Sequence, residues 1–161
     1  MPTLDQMSFS PLVMSTVKPH QWTLAEDFEM RSAWRPGQRV QHEWIKLGLQ
    51  VEQDDDGVMK ITIPKNTSTN LGSVPRSLWW FCSPVDIAMA SVVHDEMYRL
   101  IHEASAKINV HDRMLRRSEA DDVFLIGMQI QKDSWNLRSI AAWLSVRVFG
   151  WLFAYGIISG V

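Results

Sequence analysis

Residues 45–64, IKLGLQVEQDDDGVMKITIP, carry the first sustained periodicity in the chain. Ile45, Leu47, Leu49 and Val51 alternate with Lys46, Gly48, Gln50 and Glu52, the period of two that sets apolar side chains on one face of a strand. Asp54, Asp55, Asp56 and Gly57 supply turn chemistry, and Met59, Ile61 and Ile63 then alternate with Lys60 and Thr62 until Pro64 removes a backbone donor. The expectation is a β-hairpin with one buried face. The aspartates lack the alternating ligands and twelfth-position Glu of an EF-hand loop, so they read as a solvated turn.

Beyond the hairpin, residues 65–84 are rich in Asn, Thr, Ser, Gly and Pro and then turn aromatic at Leu78, Trp79, Trp80 and Phe81, a loop pinned by a hydrophobic plug. Cys82 has no charged neighbour to activate it and reads as an inert buried thiol. With Ser83 as cap and Pro84 in the first turn, a helix places Ile87, Ala90, His94, Met97, Tyr98 and Ile101 on one face. Tyr98 and His102 follow His94 at helical spacing and project the same way, while Asp95 points about 100 degrees aside, where it can pair with Arg99.

A second helix is expected from Asn109–Asp112 to about Gln131, with Arg117, Asp121, Phe124, Leu125 and Met128 on its inner stripe and Arg117 and Asp121 as i,i+4 partners. If the two helices pack antiparallel, Asp121 meets His94, fixes its tautomer and favours its protonated form, leaving the other ring nitrogen to move a proton. The same contact also reads as a buried polar bridge that sets helix register.

Ile61-Thr62-Ile63-Pro64, Ser73-Val74-Pro75-Arg76, His94-Asp95-Glu96-Met97-Tyr98 and Arg117-Ser118-Glu119-Ala120-Asp121 with Phe124 occur in this order. That order resembles the phage and prophage family catalogued as domain of unknown function 1353, over about Ile61 to Gly150, and Val146-Arg147-Val148-Phe149-Gly150 is similar to the family's ending. The family usually carries an Asp shortly before its Ser-Val-Pro, where this chain has Asn70 and one negative charge fewer. His94-Asp95-xx-Tyr98 followed by Asp121 also resembles the central helix pair of phospholipases A2. That resemblance implies that His94 activates water, Asp95 binds calcium and Asp121 orients His94. The calcium loop of those enzymes is not recognisable here, and the chain has one cysteine where they are commonly disulfide-rich. Ser73 lies in Leu71-Gly72-Ser73-Val74-Pro75, not in a nucleophile elbow, although it can approach His94 in space. The candidate site is therefore His94, Asp121 and Tyr98, supported by Asn70, Ser73, Arg76 and Arg117, with Asp95 as the candidate metal ligand.

Residues 1–41 are punctuated by Pro2, Pro11, Pro19 and Pro36 and read as an extended N-terminal arm with one short helix near Leu24 to Ala33. From Ser139 to Val161 the only charge is Arg147, so a long apolar C-terminal helix is expected, with residues 151–161 as an apolar extension. An internal Arg and three glycines weaken that stretch as a membrane span, so a neighbouring subunit or partner protein is its expected cover. The whole reads as one α+β domain over residues 42–150, with the hairpin packed on an antiparallel helix pair.

Eight Trp and nine Met point to a bulky core in the middle of the chain and interfaces at both ends. With 16 basic and 18 acidic side chains in 161 residues, the net charge of -2 gives no case for nucleic acid, and a single Cys excludes an intrachain disulfide. No secretory signal is apparent, which predicts synthesis in a host cytoplasm followed by residence in a virion. The apolar ends and Asn70 favour a phage structural or virion-associated interaction protein, partnered by other phage proteins or by itself as an oligomer, with no cofactor. The alternative is a small metal-assisted hydrolase, phospholipase-like or envelope-directed, using the His-Asp dyad and a divalent cation such as calcium; membrane contact through the apolar tail is a further expectation.

Overall fold

The structure is a computed structural model that describes residues 7–18, 21–55, 57–69, 84–132, 140–144 and 146–148. Strands β1 (Ser8–Phe9), β4 (Phe28–Ser32), β5 (Gln50–Gln53) and β6 (Met59–Ile63) form one antiparallel sheet in the order β1-β4-β6-β5. Strands β2 (Met14–Lys18), β3 (Gln21–Leu24) and β7 (Ser68–Thr69) form a second, in the order β2-β3-β7. Helix α1 (Gln38–Leu47) lies against β5, while α2 (Pro84–Glu103) and α3 (Val110–Lys132) pack on each other; α2 touches β6 and β7, and α3 touches β1 and β4. The architecture is α+β, as the sequence predicts.

Alternation explains the central sheet. Phe28, Met30 and Ser32 on β4 are buried and stand opposite Ile63, Ile61 and Met59 on β6, which are buried too, so each strand turns one face to the core. The predicted hairpin is present as β5 and β6. Gly57, at φ +74°, closes its turn by donating its N–H to the Asp54 carbonyl at 2.8 Å, and Asp54 is paired with Arg31 at 2.5 Å.

Two expectations fail in this region. The strand expected from Ile45 begins only at Gln50, because Val40, Trp44 and Leu47 follow the helical period of α1 and bury one side of it, leaving Ile45 exposed. Gly48 then takes the left-handed conformation at φ +104° and donates to the Ile45 carbonyl while Leu49 donates to that of Trp44, which ends the helix. The segment read as an irregular arm with a helix near Leu24 to Ala33 instead supplies β1 to β4, and β4 is an interior strand of the sheet. Leu24 and Phe28 mimic helical spacing, but pairing with β6 imposes the period-two pattern of Phe28 to Ser32.

The main core gathers Leu24, Phe28, Met30, Trp44, Ile61 and Ile63 from outside the helix pair with Val92, Val93, Met97 and Ile101 of α2. A second cluster joins Ile87 and Ala90 of α2, Phe124 and Met128 of α3, and Ala142, with Trp143 and Val146 against it. Helical residues 140–144 and 146–148 thus cover part of the predicted C-terminal helix; residues 149–161 and the aromatic plug at Leu78 to Phe81, with Cys82, lie outside the described residues. Among the described residues no helix is long and apolar enough to cross a membrane.

The helix pair approaches closely at Gly127, where an added Cβ would stand 2.9 Å from Ala90 Cβ and 3.2 Å from Ala90 Cα. Gly to Ala within a helix ordinarily stabilises by up to about 1 kcal/mol. Here Gly127→Ala should destabilise by about 1–3 kcal/mol, because the atoms it meets belong to a short side chain and its backbone. Chemical denaturation of a double-mutant cycle tests this: the loss should shrink when Ala90→Gly is added, and strictly additive effects would contradict the contact.

Candidate functional site

The helix pair positions the candidate residues from the Gly127 contact outward. Ala90 faces Gly127, His94 faces Phe124 and Asp121 one turn on, and Tyr98 faces Asp121 and Arg117 a further turn on, so α2 and α3 run antiparallel. Asn109 caps α3: its Oδ1 accepts from the Asp112 N–H at 2.8 Å and its Nδ2 donates to the Asp112 carboxylate at 2.7 Å. That cap anchors the end of α3 whose fourth turn carries Asp121.

His94 is 9% exposed and Asp121 3%. His94 Nε2 lies 3.0 Å from Asp121 Oδ1, and the Tyr98 hydroxyl donates to the same oxygen at 2.8 Å. A carboxylate only accepts, so against an ionised Asp121 the donor of this pair is His94 Nε2. The imidazole is flanked by rings, with the centroid of Tyr98 at 4.3 Å and that of Phe124 at 5.0 Å, and the Arg117 guanidinium carbon stands 5.5 Å from the Tyr98 centroid. The predicted dyad is thus assembled, with Tyr98 as its third member.

Burial, then the charge of Asp121 and the hydrogen bond to it, push the Tyr98 phenol far above its ordinary value, against a smaller opposing effect of Arg117 and Arg147.

Other candidates fall differently. Arg99 does not pair with Asp95 as expected: its Nε and Nη2 reach the buried Glu96 carboxylate at 2.7 Å each, and Nη1 pairs with Glu103. Asp95 Oδ2 instead accepts from Thr69 Oγ1 of β7 at 2.6 Å, so Asp95 ties α2 to the second sheet. Among the described residues no group of three or more His, Cys, Asp or Glu side chains is arranged to hold a metal ion, and one oxygen of Asp95 is already engaged by a hydroxyl. Asn70, Ser73 and Arg76 lie outside the described residues.

Three contacts went unread in the sequence. Phe124 sets its ring at a tilt against the His94 imidazole, Thr69 holds Asp95, and Glu119 accepts both Arg116 Nη1 at 2.6 Å and Trp44 Nε1 at 2.8 Å, binding α1 to α3. The last two join residues 26 and 75 positions apart, and no local pattern signals them.

A family model described as "Protein of unknown function (DUF1353)" matches residues 45–146. No curated protein and no solved structure matches the chain.

The Tyr98 shift gives a signed pH dependence. Its proton is retained in the fold but lost from the unfolded chain above about pH 10, so the stabilisation is complete below that pH and declines above it. Between about pH 8 and 11 the wild type should lose about 1 kcal/mol more unfolding free energy than Tyr98→Phe, read by denaturant titration at each pH. Equal losses in the two proteins would refute the buried, Asp121-bonded phenol.

Proposed function

The chain belongs to the family of proteins of unknown function DUF1353, and we propose that it is a small hydrolase in which His94 is the general base. The observation that supports this reading is the single Asp121 oxygen that accepts both His94 Nε2 and the Tyr98 hydroxyl within the helix pair. Asp121 holds the ring in one tautomer and stabilises the imidazolium formed when Nδ1 takes a proton. In acyl-ester hydrolysis, Nδ1 removes a proton from water, the hydroxide bonds to the carbonyl carbon, and collapse of the tetrahedral intermediate breaks the ester C–O bond. The departing alkoxide recovers the proton from His94, which regenerates the neutral ring. Tyr98 donates to Asp121 and keeps it aimed without itself giving up a proton, in keeping with its raised pKa.

A second reading, a virion-associated protein that docks through its apolar ends, draws on the exposure of Ile140, Leu144 and Val148.

Hydrolysis of a panel of acyl esters by the full chain tests the first reading. His94→Ala and Asp121→Asn should each lower turnover about 10²–10⁴-fold while melting and far-UV circular dichroism stay close to wild type. Undiminished turnover in folded His94→Ala would remove the base from the proposal; activity lost only together with the fold would make the cluster a structural bridge.

A further inference from the structure

Helical residues 140–144 and 146–148 are apolar on both sides. Ala142, Trp143 and Val146 pack inward onto Ile87, Phe124 and Met128, whereas Ile140, Leu144 and Val148, spaced four residues apart, face outward with exposures of 36%, 48% and 57%. Among the described residues, the other exposed large apolar side chains lie on other parts of the fold, at Val13, Ile45, Val110 and Leu115. The single charge from Ser139 to Val161 is turned away from the outer face: Arg147 Nη1 pairs with Asp122 at 2.8 Å, Nη2 donates to the Ser118 hydroxyl, and the guanidinium carbon stands 4.8 Å from the Trp143 ring centroid. The outer stripe is therefore charge-free, and in sequence it runs directly into Val148 to Val161, fourteen residues without a charged side chain.

We infer that this stripe docks on a phospholipid bilayer, with Ile140, Leu144 and Val148 seated at the boundary between headgroups and acyl chains. A helix that is apolar all round needs an apolar solvent on its outer side. A second copy is the poorer occupant, because three aliphatic side chains fall well short of the roughly 800 Å² per partner that a stable protein interface buries. A bilayer requires no shape-matched partner: an interfacial helix sinks one face by about 5–10 Å. The inward packing of Ala142, Trp143 and Val146, with Arg147 paired to Asp122, sets which face of the segment is presented outward.

The test is co-flotation of the full chain with vesicles of phosphatidylcholine and phosphatidylglycerol, at low and high salt, alongside light scattering without lipid. The wild type should float with vesicles at both salt concentrations, since the contact is apolar, and Leu144→Glu with Val148→Glu should reduce the bound fraction about tenfold or more. The milder pair Leu144→Ser with Val148→Ser should reduce it partially, with melting unchanged. A wild type that stays with the soluble fraction overturns the inference, as does a dimer without lipid that the same substitutions dissociate. His94→Ala should bind vesicles like the wild type, so the bilayer contact stands or falls apart from the hydrolase reading.

Discussion

The absence of a side chain at Gly127 lets α3 approach Ala90 closely enough that everything else on α2 finds its partner. α2 is buried on most of its circumference: Val92, Val93, Met97 and Ile101 face the sheet side, Ile87 and Ala90 face the second cluster, and His94 lies toward α3. A helix enclosed in this way cannot rotate to relieve a poor contact, so its separation from α3 is a fixed quantity. A helix pair held apart by one methyl group would lengthen the His94 to Asp121 contact beyond the 3.0 Å seen here, and hydrogen bonds weaken steeply with distance.

Much of this was legible in the sequence because it is local. Helix positions four apart share a face whatever the tertiary structure, so the stripe through Ala90, His94, Tyr98 and Ile101 and the stripe through Arg117, Asp121, Phe124 and Met128 could be written down, and their antiparallel pairing brings the two polar positions together. The failures share a cause as well. Ile45 and Leu47 happen to alternate with polar residues while belonging to a helix that Gly48 terminates, and Phe28 to Ser32 is too short for its period of two to outweigh the helical spacing of Leu24 and Phe28. In both places the outcome is set by pairing with β6 or packing on a distant core, which a short window cannot contain. Asp95 is the analogous case in the site, where the helical neighbour Arg99 was the visible partner and Thr69 on a two-residue strand is the actual one.

A buried carboxylate, imidazole and phenol in one contact are not what packing alone would select. Removing a charge from water costs several kcal/mol, and hydrogen bonds from two donors only partly offset it. Apolar side chains of similar volume at these positions would fill the same space without that cost. A polar bridge across the helix pair would need two groups; the third, Tyr98, gives the shared oxygen of Asp121 a second partner beside His94. The Phe124 ring of α3 stands 5.0 Å from the imidazole, tilted by 47° to it.

Phe124 also connects this polar cluster to the apolar surface. Its ring lies 5.0 Å from that of His94 on one side, and it belongs to the cluster that Ala142, Trp143 and Val146 complete on the other. The segment that shows Ile140, Leu144 and Val148 to the outside is therefore one side chain removed from the imidazole. Arg147 fixes the segment against Asp122, the residue next to Asp121 on α3, so the placement of the outer face and the placement of the dyad share one turn of helix. A displacement of residues 140–148 cannot be absorbed in the packed cluster without moving Phe124, because close-packed interiors transmit strain rather than deform freely. The apolar face and the polar cluster are thus separated by one aromatic ring, that of Phe124.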